Sequence, residues 1–422
     1  MQTSFVVIGI GKSGTAAKNL LLASGIPAAS VHTFDEKNTA ADFTQWDQLN
    51  ALPVGTLVVS PGVPLASAPI AALKNKGWKL TSEINLACAH LTDEVLIGIT
   101  GSVGKSTVTS LLGQALRADD SNAFVGGNLG IPFAEYALQL LTQKKKSKYI
   151  AIELSSYQLE NCADLKLDYS AITFLSSNHL ERYPSADAYY MTKCEIGAKT
   201  KQVCVLNENS KDLVQYRARI PGKTELVSYK NSNEKSYLEK SQLIGEHNLD
   251  NLAIALKLAQ HLKLSARALE AMVQFKGLYH RLETVGTFQD RLFINDSKAT
   301  AMDSVLVATQ AALTKTAQDK KLFLLLGGKD KNLPWEELNV LSQYKNINFI
   351  FFGHCGDIAK NKSQLHGSQF AKLSEALQHV FTQTQSGDVV LLSPGGTSLD
   401  EFKNFEDRGQ FFKNQVQEYY SK

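Results

Sequence analysis

The sequence predicts an α/β protein of three domains with mostly parallel sheets. Three observations carry that expectation. Short apolar runs rich in Val, Ile, Leu and Phe alternate with helical patterns from one end of the chain to the other, as in successive strand–helix–strand units. The length, 422 residues, is about three domains at ~150 residues each. Two glycine-rich turns each follow an apolar run and precede a helix-like stretch, the place where a parallel sheet presents backbone N–H groups to an anion.

In the first domain, residues 1–91, Phe5-Val-Val-Ile-Gly-Ile10 reads as a strand running into Gly9-Ile-Gly-Lys-Ser-Gly14. Val31-His-Thr-Phe-Asp35 is a second strand ending on an acid about 20 positions later. Taken alone, this is a dinucleotide-type fingerprint, or else a tight strand-to-helix turn without a ligand. Val59-Ser-Pro-Gly62 reads as a loop at a strand's carboxyl end.

The second domain, residues 92–277, opens with the most informative segment. Val95-Leu-Ile-Gly-Ile99 leads into Thr100-Gly-Ser-Val-Gly-Lys-Ser-Thr107. Backbone N–H groups of Gly101, Ser102, Val103, Gly104 and Lys105 can surround phosphate oxygens, Lys105 can reach the β and γ phosphates, and Ser106 can ligate Mg²⁺. The turn is shorter than the common form, since Ile99 stands where that form has its first glycine. Tyr149-Ile-Ala-Ile-Glu153 is a strand ending on a carboxylate suited to Mg²⁺. Ile172 to His179 reads as another strand with polar residues at its end, followed by a helix from Ser185 to Lys199. His179 is placed for a second metal, and Lys193, in mid-helix, reads by itself as a solvated lysine. Gly245-Glu-His-Asn248 opens a further helix in which Asn248 and Asn251 lie one turn apart, with Leu249, Leu252, Ala253 and Leu256 as the buried stripe. Residues 208–242 read as a polar loop, and the turn at Phe275 to His280, with Gly277, as the break before the next domain.

In the third domain, residues 278–422, strands are expected at Leu292–Ile294, Lys321–Leu326, Ile347–Phe352 and Asp388–Leu392. The first runs into Asn295-Asp-Ser-Lys-Ala-Thr300. The last runs into Ser393-Pro-Gly395, an echo of Ser60-Pro-Gly62 that again reads as a loop at the sheet edge. The segment to Gly409 then forms a polar turn and an amphipathic helix, whose N–H groups suit a carboxylate ligand.

Composition excludes several classes. Lys plus Arg minus Asp plus Glu is 44 − 41 = +3, too small and dispersed a charge for a nucleic-acid or membrane-surface partner. No apolar run approaches the ~20 residues of a bilayer span, and Met1 to Ile8 has no basic leader, so a cytoplasmic protein is expected. Five cysteines without Cys-x-x-Cys pairing read as reduced, structural thiols.

The combined motifs resemble the Mur ligases. They are the Thr100–Thr107 turn, Glu153-Leu-Ser-Ser-Tyr-Gln-Leu-Glu160, His179, Gly245-Glu-His-Asn248, His280-Arg281, Asp296-Ser-Lys-Ala-Thr300 and the Ser393–Gly409 segment, and the matches cover essentially the whole chain. The resemblance implies a Rossmann-like N-terminal domain, a central P-loop ATPase-like domain and a Rossmann-like C-terminal domain. It implies ATP-dependent amide-bond formation with two Mg²⁺ ions: D-glutamate joined to UDP-N-acetylmuramoyl-L-alanine through an acyl phosphate, by a cytoplasmic monomer serving peptidoglycan precursor synthesis. By the same resemblance, Lys12, Ser13, Asp35, Glu36, Lys37, Gly62 and Asn128 bind the UDP substrate. The turn residues through Thr107, with Asn248, Asn251, Arg281 and Asp296, bind ATP, and Lys298 meets the γ-phosphate. Thr300, Lys331, Ser398 and Phe405 bind glutamate. Ser106, Glu153, His179 and Lys193, the last as a carbamate, serve the metals.

Four departures from the family pattern stand out. They are Val103 for an asparagine, Asn178 for an aspartate, Ala301 for an asparagine, and Gly395-Gly396 for small or thiol residues. An L-glutamate-adding sister enzyme, a folylpolyglutamate synthase, the alanine-adding Mur enzyme, a nucleotide-switched binding protein and a dinucleotide oxidoreductase are the alternatives. The amino-terminal glycine fingerprint and Asp296-Ser-Lys-Ala-Thr300 weigh against the folate branch.

Overall fold

The apolar runs become the strands of three separate sheets in the computed structural model, which describes residues 4–128, 130–176 and 182–421. The first sheet contains β1 (Phe5–Ile8), β2 (Val31–Phe34), β3 (Thr56–Val59) and β4 (Lys79–Thr81), in the order β2-β1-β3-β4. The second contains β5 (Val95–Thr100), β6 (Phe124–Gly127), β7 (Tyr149–Glu153), β8 (Leu167–Ile172), β9 (Thr200–Asn207) and β10 (Thr224–Val227), in the order β10-β9-β8-β5-β7-β6. The third contains β11 (Glu283–Phe288), β12 (Arg291–Asn295), β13 (Leu322–Gly327), β14 (Ile347–Phe352), β15 (Gly367–Phe370) and β16 (Val389–Gly395), in the order β11-β12-β16-β13-β14-β15.

Strand pairing is parallel throughout these sheets except between β11 and β12. Interior strands are apolar on both faces, as parallel strands covered by helices must be. Residues 322–326 of β13 are all leucine or phenylalanine and all buried.

The chain divides into two compact units. One is residues 1–241 with 249–274, and the other is 242–248 with 275–422. Within the first unit, the first and second sheets share a core. Ala16 and Leu20 on the helix Lys12–Ala23 and Ile84 and Ala87 on the helix Glu83–Cys88 pack with Phe133, Ala134, Tyr136 and Ala137. Those last four recur at helical spacing on one face of the helix Phe133–Gln143, so one amphipathic helix closes the seam.

Several boundaries differ from the sequence reading. The strand expected from Ile172 to His179 lies earlier and ends at Ile172; its polar Asp168 is occupied in accepting the Leu96 N–H at 2.9 Å. Ser393-Pro-Gly395 is not an edge loop but the buried end of β16, an interior strand. The span 208–242 is not a loop: it holds helices at Lys211–Tyr216 and Lys235–Glu239 as well as β10. The helix after Ser185 stops at Cys194, continued by a short 3₁₀ turn at Gly197–Lys199. The helix Glu246–His261 buries more than the expected stripe, since Ile254, Ala255, Leu258 and Ala259 are fully buried while Leu249 is partly exposed. Among the described residues, no helix is long and apolar enough to cross a membrane. The five cysteines are free thiols, four of them buried.

Candidate active site

The glycine turn after β1 is built by backbone necessity. Gly9 sits at φ +84°, and a Cβ at Gly14 would lie 1.9 Å from the Gly9 carbonyl oxygen. Gly11 caps the helix Lys12–Ala23 without a side-chain hydrogen bond, leaving the N–H groups at Lys12 and Ser13 for an anion. Asp35, just beyond β2, accepts from Lys37 N at 3.0 Å, Ile10 N at 3.1 Å and Asn38 N at 3.2 Å. Those bonds, from Lys37 and Ile10 above all, hold its carboxyl below the usual range. Glu36 accepts from the Trp46 indole at 2.8 Å. Lys37 and Gly62 are exposed. Ser60 ties the next loop to this turn, its N–H donating to Ile8 O and its hydroxyl to Gly9 O at 2.7 Å.

The second glycine turn follows β5. Gly101 (φ +147°) and Gly104 (φ +89°) take conformations that favour glycine, and there is no room for side chains. A Cβ at Gly101 would meet Thr173 Oγ1 at 2.1 Å, and one at Gly104 would meet Asn251 Oδ1 at 2.4 Å. Thr173 donates to Thr100 O at 3.2 Å and to Val103 O. Ser102 N donates to Phe174 O at 2.7 Å, and its hydroxyl donates to Ser176 O at 2.9 Å. The segment after β8 thus braces the turn from one side. Gly104 caps the helix Lys105–Asp119 without using a side chain, so the helix's first N–H groups face the turn. Lys105 Nζ donates to Gly101 O at 2.9 Å and Ser102 O at 3.1 Å, lying along the loop it would share with a triphosphate. Ser106 is buried at the first helical turn and Thr107 half-buried, while Val103 points outward, 49% exposed.

On the other side of β5, Glu153 ends β7, paired with Ile99 and with Gly127 of β6. It is 2% exposed. Its Oε1 accepts from Asn128 Nδ2 at 2.7 Å, and its Oε2 has no hydrogen-bond partner among the described residues. A buried carboxylate oxygen left open beside a phosphate-type turn fits a divalent cation. Lys193, expected from sequence to be solvated, is instead 1% exposed, with Nζ 4.7 Å from the centre of the Tyr189 ring. Burial drives its pKa well below the ordinary lysine value; Lys105 adds to the effect and Glu153 opposes it. Among the described residues, no three His, Cys, Asp or Glu side chains converge as a metal cluster. His179 and Asn178 lie outside the described residues.

Asn251, next to Gly104, is buried. Asn248, one turn earlier, donates from Nδ2 to Ile244 O at 2.8 Å, and the boundary between the compact units falls between the two.

In the second unit, the ends of β12, β16 and β13, adjacent in the sheet, gather at its carboxyl edge. Asp296 accepts from Ser393 Oγ at 2.9 Å and Leu282 N at 3.2 Å, and burial pushes its carboxyl up to about 7. Arg281 is half-buried beside it and opposes that rise. Lys298 is exposed, with Nζ 4.8 Å from the centre of the Phe405 ring. Thr300 is half-buried, Ser398 buried and Lys331 exposed, each just beyond a strand of this edge. The helix Phe405–Tyr420 does not offer the free end expected for a carboxylate: Asn404 Oδ1 already accepts from Asp407 N at 2.7 Å, and Glu406 and Asp407 make its first turn acidic.

Sequence reasoning gave no role to Arg408, which is fully buried. Its guanidinium donates from Nε to Ser297 Oγ at 3.0 Å, from Nη1 to Gly396 O at 3.1 Å and from Nη2 to Ser297 O at 2.8 Å, fastening the last helix to the loop that holds Asp296 and Lys298. It lies within the Asp-Arg-Gly string, and a lone arginine among apolar helix positions was the available signal. Glu83 and Arg182, at the seam between the first two sheets, were also missed.

Residues 99–241 match the family model described as the Mur ligase middle domain. The UDP-N-acetylmuramoylalanine--D-glutamate ligase of Myxococcus xanthus is 33% identical, covering 98% of this chain and 97% of its own. The enzyme of the same name from Haemophilus influenzae is 32% identical, covering 98% of each. Among solved structures, MurF from Acinetobacter baumannii shares the fold with a TM-score of 0.62 at 16% identity, over 96% of this chain and 98% of that one. MurC from Thermotoga maritima does so with a TM-score of 0.60 at 17% identity, over 99% of each. With likeness to the D-glutamate ligases running nearly end to end, and the glycine turn, Glu153 and the buried Lys193 lying inside the matched middle segment, the chain belongs to the Mur ligase family.

Proposed function

We propose that the protein joins D-glutamate to UDP-N-acetylmuramoyl-L-alanine at the expense of ATP. The observation that carries this reading is the nearly full-length identity, 33%, with a ligase named for that reaction. The substrate's alanyl carboxylate attacks the γ-phosphorus of ATP, giving an acyl phosphate and ADP. The glutamate amine then attacks the acyl carbon, loses a proton and expels phosphate, leaving an amide.

The first step sets an anion against an anion, so the protein's task is to neutralise charge and position the reactants. The Gly101–Thr107 backbone and Lys105 would hold the triphosphate, with Asn251 beside the turn. Ser106 and Glu153 would hold Mg²⁺, and the open Oε2 of Glu153 supports that assignment. Bound there, Mg²⁺ would supply positive charge to the phosphate oxygens. A second ion at His179, and adenine or ribose contacts through Asn248, Arg281 and Asp296, belong to the same proposal. Lys12, Ser13, Asp35, Glu36, Lys37, Gly62 and Asn128 would take the nucleotide-sugar; the uncapped helix at Lys12 supports a phosphate there. Lys298 would meet the γ-phosphate, and Thr300, Lys331, Ser398 and Phe405 the glutamate. Burial favours the neutral Lys193 amine, whose nitrogen can add to the carbon of CO₂ and give up a proton to solvent, leaving a carbamate anion that would favour a nearby cation.

The test is phosphate release from ATP with UDP-N-acetylmuramoyl-L-alanine present, comparing D-glutamate, L-glutamate and no amino acid, with mass detection of the product. The expected result is turnover only with D-glutamate and a D-glutamyl adduct. Product with L-glutamate alone moves the chain to a sister activity, and ATP hydrolysis indifferent to both overturns the ligase reading.

A further inference from the structure

The turn Ser60-Pro-Gly62-Val63 projects from the first sheet, closed by Val63 N to Ser60 O, with Gly62 open to solvent on its outer side. The Ser60 bonds to Ile8 and Gly9 hold it from within its own sheet. A second hold comes from the far side of the seam. Arg182 donates from Nη1 to the Pro61 carbonyl at 2.9 Å and from Nη2 to Glu160 Oε2 at 2.7 Å, while its guanidinium lies 4.1 Å from the centre of the Tyr157 ring. Glu160 is itself held, its Oε1 accepting from the Tyr183 hydroxyl. The arginine and glutamate side chains are only 13% and 20% exposed, which strengthens the pair relative to a solvated one.

Other polar ties cross the same seam, from Ala134 N to Glu83, from Asn161 to Thr81 O and from Asp164 N to Asn85. Those grip β4 and the helix after it. Arg182 grips the turn that carries Gly62, and it does so from beside a small pocket that Ser60, Tyr157 and Gln158 also line.

We propose that Arg182 is a positioning residue for the nucleotide-sugar: it fixes the Pro61–Gly62 turn against the second sheet, so that the turn is set for that substrate before it arrives. Resting on the ligase reading, the inference assigns a binding role that no motif marks. The arrangement needs a planar fork. One nitrogen must reach a carbonyl, another a carboxylate, and the plane must lie over a ring, which an ammonium cannot do at once.

The experiment compares wild type, Arg182→Lys, Arg182→Met and Glu160→Gln. The affinity for UDP-N-acetylmuramoyl-L-alanine and for ATP is measured by calorimetry without turnover, and KM for each substrate and kcat with it. Loss of a preorganised, charge-assisted contact is expected to weaken the nucleotide-sugar by about tenfold or more in both arginine variants, with ATP affinity and its KM within about twofold of wild type. Glu160→Gln, which keeps the side-chain volume and the acceptor, is expected to show a smaller effect of the same pattern. Equal losses for ATP and nucleotide-sugar, a fall in kcat alone, or full recovery in Arg182→Lys would overturn the proposal. If wild type binds the nucleotide-sugar yet forms no amide, the ligase reading fails, and the binding comparison still decides the role of Arg182.

Discussion

Replacing Glu83 by glutamine isolates the cost of one buried charge at the seam between the first two sheets. Glu83 is 3% exposed; its Oε2 accepts from Ala134 N at 2.8 Å, and its Oε1 has no hydrogen-bond partner among the described residues. Burial pushes its carboxyl from 4.5 up to about 7, against the pull of the Ala134 and Phe133 N–H groups at the start of their helix. Between those two values the folded chain holds a proton that the unfolded chain has released. Stability therefore falls as pH rises through that window and levels off above it. At about 1.4 kcal/mol per pH unit, the full loss is about 3 kcal/mol.

Glutamine keeps the shape and the acceptor for Ala134 N and does not titrate. Its constant offset comes from the unpartnered amide group, about 1–3 kcal/mol; the helix N–H attraction acts only on the ionised carboxylate and is already contained in the value of about 7. The offset cancels when the pH dependence is compared. From near pH 5 to near pH 8, Glu83→Gln is expected to gain about 2–3 kcal/mol on the wild type. Urea unfolding read by Trp46 and Trp78 measures this in the unit concerned, with Trp335→Phe in both chains to silence the remaining tryptophan. A difference that stays within about 0.5 kcal/mol across that range would refute the reasoning, because Glu83 would then be ionised alike in both states.

Three further outcomes are expected. Gly104→Ala, placing a Cβ 2.4 Å from Asn251 Oδ1 at φ +89°, should lower ATP affinity by about tenfold or more in direct titration, at a strain of about 1–3 kcal/mol; unchanged binding would mean the turn does not hold nucleotide. Lys193→Ala should abolish most turnover and regain part of it with added short carboxylates, and bicarbonate removal should slow the wild type; no response to either argues against a carbamate. Arg408→Met should strand the Ser297 and Gly396 carbonyl oxygens and destabilise the second unit by about 3 kcal/mol, read as a lower urea midpoint from Trp335 fluorescence.

What the sequence made legible was local. Gly9, Gly14, Gly101 and Gly104 could be read because no other residue fits their backbone or their surroundings, and each lies within a few positions of the strand it serves. Arg182 and Pro61, by contrast, are 121 positions apart, Arg408 and Ser297 are 111, and Glu83 and Ala134 are 51. A buried polar side chain is intelligible only with its partner, and the partner is fixed by tertiary packing rather than by spacing. The same cause displaced two strand assignments. In sequence Ser393 reads within a loop and the strand β8 falls too late, yet the Ser393 hydroxyl is bonded to Asp296 and Asp168 of β8 to Leu96 N, so each polar side chain sits inside a strand. Lys193 by itself reads as solvated for a related reason, since one lysine in a helix looks solvated until burial is known, and only the family resemblance points it inward to the metals.

Strand order explains why the legible turns fall where chemistry is possible. In the first sheet the chain leaves β1 to one side for β2 and then crosses to the other for β3, so the winding reverses at β1. In the second, β6 and β7 lie on one side of β5, and β8, β9 and β10 on the other. At such a reversal the connections on either side of the strand diverge, opening a crevice at its carboxyl end that helices do not fill. Gly9–Gly14 and Gly101–Lys105 occupy those two crevices. In the third sheet the reversal falls where β16 returns between β12 and β13, and there Asp296 of the β12 loop meets Ser393 of β16. The glycine turns supply backbone donors at reversal points of the first two sheets; in the third, where β16 and β13 also end in glycine pairs, side chains from the β12 loop and β16 meet as well. The glycine turns could therefore be read from the sequence, whereas the side-chain cluster around Asp296 depends on pairings that only the fold brings together.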